Sequence, residues 1–150
     1  MLDIGSGRVK TDIVGEDTPR FVFPSVDEDA YPVYPVERGI VTNWEEMENV
    51  LHRVFEEELE LDPSEHAVLL TESPLTTKPD SERMAQLMFE TFQTGAIGMC
   101  NQALLSLIAS GRTSGVVLES GDGKYSLDSH FSHFCSLTAL SRPDRRGADL

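Results

Sequence analysis

Cysteine, basic side chains and long apolar runs are all scarce in this chain of 150 residues. Its two cysteines, Cys100 and Cys135, have no metal-binding or redox spacing and are too few for a disulfide framework, which suits a reducing compartment. No apolar run approaches the roughly 18 residues of a membrane span, and the N-terminus lacks the basic, apolar and small-residue order of a secretory signal. We therefore expect a folded cytoplasmic domain that does not enter a membrane.

The scarcity of positive charge limits the classes of partner. The chain has 12 basic and 26 acidic side chains, a formal net charge of -14. Such a surface repels nucleic-acid phosphates and anionic lipid heads, so neither is expected as a partner. The excess lies in residues 1–90, with 21 acids against 7 bases, whereas residues 91–150 carry 5 of each. Two interpretations remain: an acidic face for cationic partners, or a solvated surface that aids solubility.

The apolar residues switch repeatedly between the period of a strand and that of a helix, which predicts an α/β domain with a largely parallel sheet. The predicted strands are Asp3–Ile4, Val9–Val14, Phe21–Phe23, Ala67–Thr71 and Gly95–Cys100, followed by the run "SGVVLES". Predicted helices cover "TNWEEMENVLHRVFEEELEL", which opens on Thr42 and Glu45 in capping-box spacing, then Ser81–Phe92 and "NQALLSLIASG", which Gly111 ends.

Two glycine-rich turns follow predicted strands, "GSGRVK" near the start and "SGDGK" far along the chain. Backbone N–H groups in such turns can converge on phosphate oxygens because no side chain blocks the approach, and a nearby lysine or hydroxyl adds charge and a donor. "GSGRVK" has neither the third glycine of a dinucleotide-binding turn nor the Gly-Lys-Ser/Thr ending of a P-loop. Taken alone, it favours an ordinary hairpin turn over an anion cradle, because hairpin turns use such residues constantly.

A longer series of motifs favours the anion cradle. The stretches "GEDTPRFVFPS", "GIVTNWEEMENVLHRVF", "VLLTESPL", "MFETF" and "LSLIASGRTSGVVLESGDG" together closely resemble actin and the actin-related proteins, over about residues 3–25 and 34–123. The resemblance implies an actin-like ATPase (ribonuclease H-like) α/β fold, with a central mixed sheet flanked by helices. It also implies a first domain over residues 1–112 and the start of a second, truncated domain over residues 113–150.

The resemblance also implies a nucleotide site that binds ATP or ADP with Mg²⁺ or Ca²⁺. The residues that it assigns to phosphate binding are those of the two turns, Gly5, Ser6, Gly7, Lys10, Gly121, Asp122 and Gly123. Asp3 and Glu119 would face the divalent cation, chiefly through its water shell. Gln102 and Asp122 would act on the attacking water. Without the resemblance, Gln102 is simply a polar residue at the start of a helix.

Departures from the family pattern reduce the expected activity. Glu119 stands where the family has an aspartate, "KYS" replaces the residues that follow the second turn, and similarity nearly vanishes from Lys124 to Arg146. The small subdomain that carries the filament-docking loop is reduced to about residues 26–34. We expect weak or absent ATP affinity and hydrolysis and doubtful filament assembly, in a cytoskeletal setting with actin or actin-binding proteins as possible partners. The alternatives are a non-enzymatic actin-related interaction protein and a degenerate actin fragment.

Overall fold

A mixed β-sheet forms the centre of the structure, a computed structural model that describes residues 1–15, 18–26, 33–122, 125–131 and 134–140, the last two ranges by their backbone alone. The strands are β1 Leu2–Ile4, β2 Arg8–Thr11, β3 Phe21–Pro24, β4 Val36–Glu37, β5 Ile40–Val41, β6 Ala67–Glu72, β7 Ala96–Asn101, β8 Gly115–Ser120, β9 Tyr125–Phe131 and β10 Phe134–Leu140. The α-helices are α1 Trp44–His52, α2 Lys78–Gln86 and α3 Gln102–Ala109.

The central sheet has five strands in the order β3-β2-β1-β6-β7. The β1–β2 and β2–β3 pairs are antiparallel, whereas β1 pairs with β6 and β6 with β7 in parallel. This confirms the α/β fold with a mixed central sheet. The alternation of strands and helices predicted a largely parallel sheet, and two of the four strand pairs are parallel. The first three strands pair antiparallel because their connections are too short for a parallel crossover. Strand β2 ends at Thr11, short of the predicted Val14.

Helix α1 is correctly predicted, but its cap is not Thr42. Asn43 is the N-cap, and its side chain accepts hydrogen bonds from the backbone N–H groups of Glu45 and Glu46, both at 3.1 Å. The Thr42 hydroxyl instead donates to the carbonyl of Tyr34 at 3.2 Å. The α-helix ends at His52 and continues as a π-helical segment over Arg53–Glu58. One apolar face of the helix is buried, because Met47, Val50, Leu51, Val54 and Phe55 all belong to the core, and Trp44 on the same face packs against it.

Helix α2 begins at Lys78, three residues before the predicted start at Ser81. Thr77 and Asp80 form a reciprocal capping box there, a signal that the sequence carries within "TTKPD". A π-helical segment, Leu87–Thr91, extends the helix, and Met88 within it is fully buried. Helices α1 and α2 thereby contribute to the same core as the sheet residues Leu2, Val9 and Leu70.

Helix α3 leads from the central sheet to a second sheet, in which β8, β9 and β10 pair antiparallel in the order β10-β9-β8. Gly111 adopts a φ of 74° two residues after the helix, as predicted for the residue that ends it. Strand β8 packs closely on α3, since a Cβ on Gly115 would lie 3.0 Å from the Leu107 side chain. Strands β4 and β5 form a separate two-stranded ribbon. The expected reduced subdomain at about residues 26–34 falls largely outside the described residues.

No helix in the described part of the chain combines the length and apolarity needed to cross a membrane.

Candidate functional site

One cavity of about 760 Å³ opens where the central sheet faces the second sheet. The β1–β2 turn, the end of β6, the start of α3 and the end of β8 all contribute to its lining. Parallel strands of a sheet present their carboxyl ends at one edge, which is where ligand sites form in α/β folds. Sequence-predicted residues that line this cavity are Asp3, Gly5, Ser6, Gly7, Lys10, Gln102, Glu119, Gly121 and Asp122. Gly123 lies outside the described residues.

The first turn is held in a fixed shape by its own hydrogen bond and by Ser25, the residue that follows β3. The N–H of Gly5 donates to the carbonyl of Arg8 at 3.0 Å, which closes the turn. The buried Ser25 engages two carbonyls of the turn: its hydroxyl donates to Ser6 O at 2.7 Å and its N–H to Gly7 O at 3.2 Å. Since a peptide unit is planar, fixing these carbonyls also fixes the direction of the N–H groups that follow them.

The second turn touches the first. A Cβ built on Gly7 would collide with the carboxylate of Asp122 and lie 2.9 Å from its Cβ. Gly7 therefore gives the two turns room to approach, even though its backbone is outside the left-handed region. Glu119 and Ser120 precede this turn on β8 and line the same cavity. The sequence expectation that the two distant turns share one cavity matches this geometry, while their binding of phosphate stays a prediction.

Asp3 is the centre of a hydrogen-bond network on the cavity wall. Its Oδ1 accepts from the Thr71 hydroxyl at 2.7 Å and from Nε2 of Gln102 at 2.7 Å. Its Oδ2 lies 3.3 Å from Nζ of Lys10, which is directly opposite Asp3 in the β1–β2 register. The Asp3 side chain is 23% exposed and that of Lys10 50% exposed, so both remain accessible from the cavity. A ligand can therefore reach both a carboxylate and an ammonium group.

Gln102 reaches this network because of its place in the fold. It is the first residue of α3 and follows Asn101, the last residue of β7, which pairs with Glu72 of β6. Asn101 caps the helix, and its side chain accepts from the N–H groups of Ala103 at 2.8 Å and Leu104 at 3.3 Å. The interpretation of Gln102 as a helix-start residue is thus correct, and the same position directs its amide to Asp3.

The side chains present suit a hydrated divalent cation accompanied by an anion. Asp3, Glu119 and Asp122 supply hard carboxylate oxygens, the donor type that Mg²⁺ and Ca²⁺ prefer. Among the described residues, no group of three or more His, Cys, Asp or Glu side chains could hold a metal ion by itself. A cation here would therefore depend on waters and on a ligand's own oxygens, which is the usual arrangement for Mg²⁺ with phosphates. Lys10 and the turn amides suit that anion.

Sequence reasoning missed several lining residues. Thr71, Glu72 and Ser73 contribute from the end of β6, and Asp80 and Ser81 from the first turn of α2, where the Ser81 hydroxyl donates to Glu72. Thr71 ends the buried run "AVLLT", a position that does not by itself mark a functional residue. The cavity also has an apolar wall, formed by Val36, Val41, Met47, Met84, Met99 and Leu105.

In a comparison with protein families, residues 27–128 match the family model described as Actin. The matched range covers about two-thirds of the chain and includes Thr71, Gln102 and the second turn. The first turn precedes it.

Proposed function

Because the chain belongs to the actin family, we propose that its cavity binds the phosphates of an adenine nucleotide together with a divalent cation. The observation that carries this proposal is the meeting of two glycine turns, one from each sheet, at a single cavity beside the Asp3 carboxylate. Glycine at both turns lets backbone amides approach phosphate oxygens, and Lys10 offers a positive charge on the same side.

The proposed roles follow the chemistry of each group. The amides of Ser6 and Gly7, the Ser6 hydroxyl and Lys10 would hold the terminal phosphates. Gly5 would serve the site by keeping the turn closed, because its N–H donates to the carbonyl of Arg8. Gly121, Asp122 and Gly123 would hold them from the opposite turn. Asp3 and Glu119 would hydrogen-bond the water shell of Mg²⁺ or Ca²⁺, and the bound cation would neutralise phosphate charge. Gln102 and Asp122 would orient a water molecule beside the terminal phosphate.

We expect this binding to be weak. The residues assigned here contact phosphates and cation alone, whereas high affinity requires burial of most of a ligand's surface. A dissociation constant near 1 mM corresponds to about -4 kcal/mol, a reasonable scale for such partial contact. Hydrolysis would be slow or absent, because Glu119 is one methylene longer than the family's aspartate and "KYS" replaces the residues that follow the second turn.

Calorimetric titration of the full chain with Mg-ATP tests the proposal. Lys10→Met should abolish measurable binding, and Ser6→Ala should weaken it. Lys78→Met is the matched control, because the Lys78 side chain is 87% exposed and lies on α2 outside the cavity lining. Loss of binding in the Lys78 variant equal to that in the Lys10 variant would show a non-specific charge effect. No heat of binding by the wild-type chain at millimolar nucleotide would refute the proposal.

We propose that residues 1–112 and 113–150 belong to two domains, a division supported by the change of sheet between β7 and β8. We also propose a cytoplasmic, cytoskeletal setting.

Association with actin or actin-binding proteins without nucleotide is the second candidate function. It is favoured by exposed apolar side chains on β8, where Val116 is 65% and Leu118 71% exposed. Co-sedimentation with actin filaments in nucleotide-free buffer, reduced by Leu118→Ser, would support this role. Equal co-sedimentation of wild type and variant would argue against it.

A further inference from the structure

Thr71 has no assigned role, yet it lies at the contact between the two side chains proposed to act on cation and water. Its hydroxyl donates to Asp3 Oδ1 at 2.7 Å, and its oxygen lies 3.3 Å from Nε2 of Gln102. Gln102 donates to the same Asp3 oxygen at 2.7 Å. Asp3, Thr71 and Gln102 therefore form a closed three-membered cluster, called the Asp3 clamp below, across chain separations of 31 to 99 residues.

The clamp fixes which end of the Gln102 amide faces the cavity. An ionised carboxylate only accepts hydrogen bonds, and a hydroxyl that donates its one proton to that carboxylate can only accept from its other neighbour. Both neighbours of the Gln102 amide are thus acceptors, and both require its NH₂ group. Rotating the amide by 180° would set its oxygen against the carboxylate oxygen, which is repulsive. Oε1 is left as the acceptor that a water molecule or ligand proton can use.

We propose that Thr71 is the positioning residue of this site, which holds the Gln102 amide in one orientation and keeps Asp3 Oδ1 doubly hydrogen-bonded. Its β-branched side chain has restricted χ1 freedom on a strand, so the hydroxyl is held in place by the backbone of β6. Without that hydroxyl, the carboxylate loses one donor and the amide loses one of the two acceptors that select its orientation. The orientation itself is a property of the free chain; its use on a bound nucleotide rests on the proposed function.

Side-chain amide NMR of the full chain without ligand tests the orientation. The Gln102 NH₂ pair, assigned by its disappearance in Gln102→Glu, should be shifted from free-glutamine positions and protected from solvent exchange. Thr71→Val keeps the shape of the side chain and removes the hydroxyl; it should speed exchange of this pair by about fivefold, the equivalent of one net hydrogen bond. Thr71→Ser restores the hydroxyl and should return exchange to the wild-type rate. Thr113→Val makes the same change at an exposed position outside the cavity and should have no effect.

Two NMR results would overturn the proposal: an unchanged Gln102 pair in Thr71→Val, or a Thr71→Ser spectrum that matches that of Thr71→Val. Backbone amide spectra show whether each variant keeps the fold. If Thr71→Val does not fold, the comparison of Thr71→Ser with the wild-type chain decides the test. Mg-ATP titration is the second measurement, in which Thr71→Val should weaken affinity and Thr71→Ser should not. An altered amide with unchanged affinity would refute the positioning role. Absence of binding by the wild-type chain would refute the proposed nucleotide function, while the amide spectrum would still decide the orientation of Gln102.

Discussion

Contact between the two glycine turns can be tested by adding one methyl group at Gly7. In Gly7→Ala, the new Cβ would collide with the Asp122 carboxylate and lie 2.9 Å from Asp122 Cβ and 3.0 Å from its Cγ. The carboxylate can rotate away, but Cβ is fixed to the backbone. Since carbon atoms pack at about 3.5–4.0 Å, the second turn must retreat by roughly 0.6 to 1.1 Å.

The expected cost follows from overpacking. Forced displacement of packed groups typically destabilises a protein by about 1–3 kcal/mol. A compatible Gly→Ala change instead stabilises by about 0.4–1 kcal/mol, because it restricts the unfolded chain. Asp122→Gly removes the three atoms that lie nearest to the new methyl group. Gly7→Ala should therefore be destabilising in the wild-type chain and neutral or slightly stabilising in the Asp122→Gly chain, with a coupling energy of about 1–3 kcal/mol.

Urea unfolding of the four proteins in this cycle measures the coupling. Trp44 is the single tryptophan of the chain and reports on the core, against which it packs while Arg83 stacks 4.7 Å from its ring. Mutations at independent sites add to within about 0.3–0.5 kcal/mol. A coupling energy inside that range would show that the turns do not touch in solution, and the shared cavity would lose its structural basis.

Three further outcomes are expected for the described residues. Asn43→Ala should lower the free energy of unfolding by about 1 kcal/mol, and Thr42→Ala should lower it less; equal losses in urea unfolding would contradict the cap assignment. Thr11→Val should raise stability by about 1 kcal/mol, because the buried Thr11 hydroxyl has no hydrogen-bond partner among the described residues; a loss of stability would reveal one. Hydrogen bonds from Ser64, first its side chain and then its backbone, hold the pKa of the Asp62 carboxyl below its ordinary value. The native pKa is thus below the unfolded one, so this stabilisation is complete above the unfolded pKa and lost as the pH falls through the native pKa; carboxyl NMR titration should show the low pKa, and Ser64→Ala should raise it.

Local patterns in the sequence predicted the elements whose formation depends on local chemistry. Strand β6 was predicted from five consecutive residues and helix α1 from its apolar spacing, and both are present. The errors lie at their ends. Thr42 and Asn43 are both good N-caps, and the choice between them depends on a carbonyl of Tyr34, which the Thr42 hydroxyl contacts. Strand β2 stops at Thr11 although the apolar residues continue, because Val14 is 80% exposed and has no core to face.

The parts of the site that are local motifs were predictable, whereas those that depend on long-range contacts were not. Glycine-rich turns are local motifs, so Gly5–Gly7 and Gly121–Asp122 were identifiable before their meeting was known. Thr71 was not, because its functional contact is with Asp3, 68 residues away, and a threonine at the end of a buried strand is ordinary by itself. Asp3 and Thr71 are brought together because their neighbours Leu2 and Leu70 pair in the central sheet.

The Asp3 clamp and the contact between Gly7 and Asp122 depend on different parts of the fold. The Asp3 clamp joins β1 and β6 of the central sheet to the start of α3. The two strands are held together by the core, in which Leu2 is 1% and Leu70 4% exposed, so the clamp does not depend on a ligand. The contact of Gly7 with Asp122 instead joins the central sheet to the second sheet, and α3 is the connection between them. A change that separates the sheets would therefore move the two glycine turns apart and leave the clamp intact. Mutations that loosen the contact between Gly7 and Asp122 should therefore leave the hydrogen bonds among Asp3, Thr71 and Gln102 unchanged, since separate packing interactions hold each set of contacts.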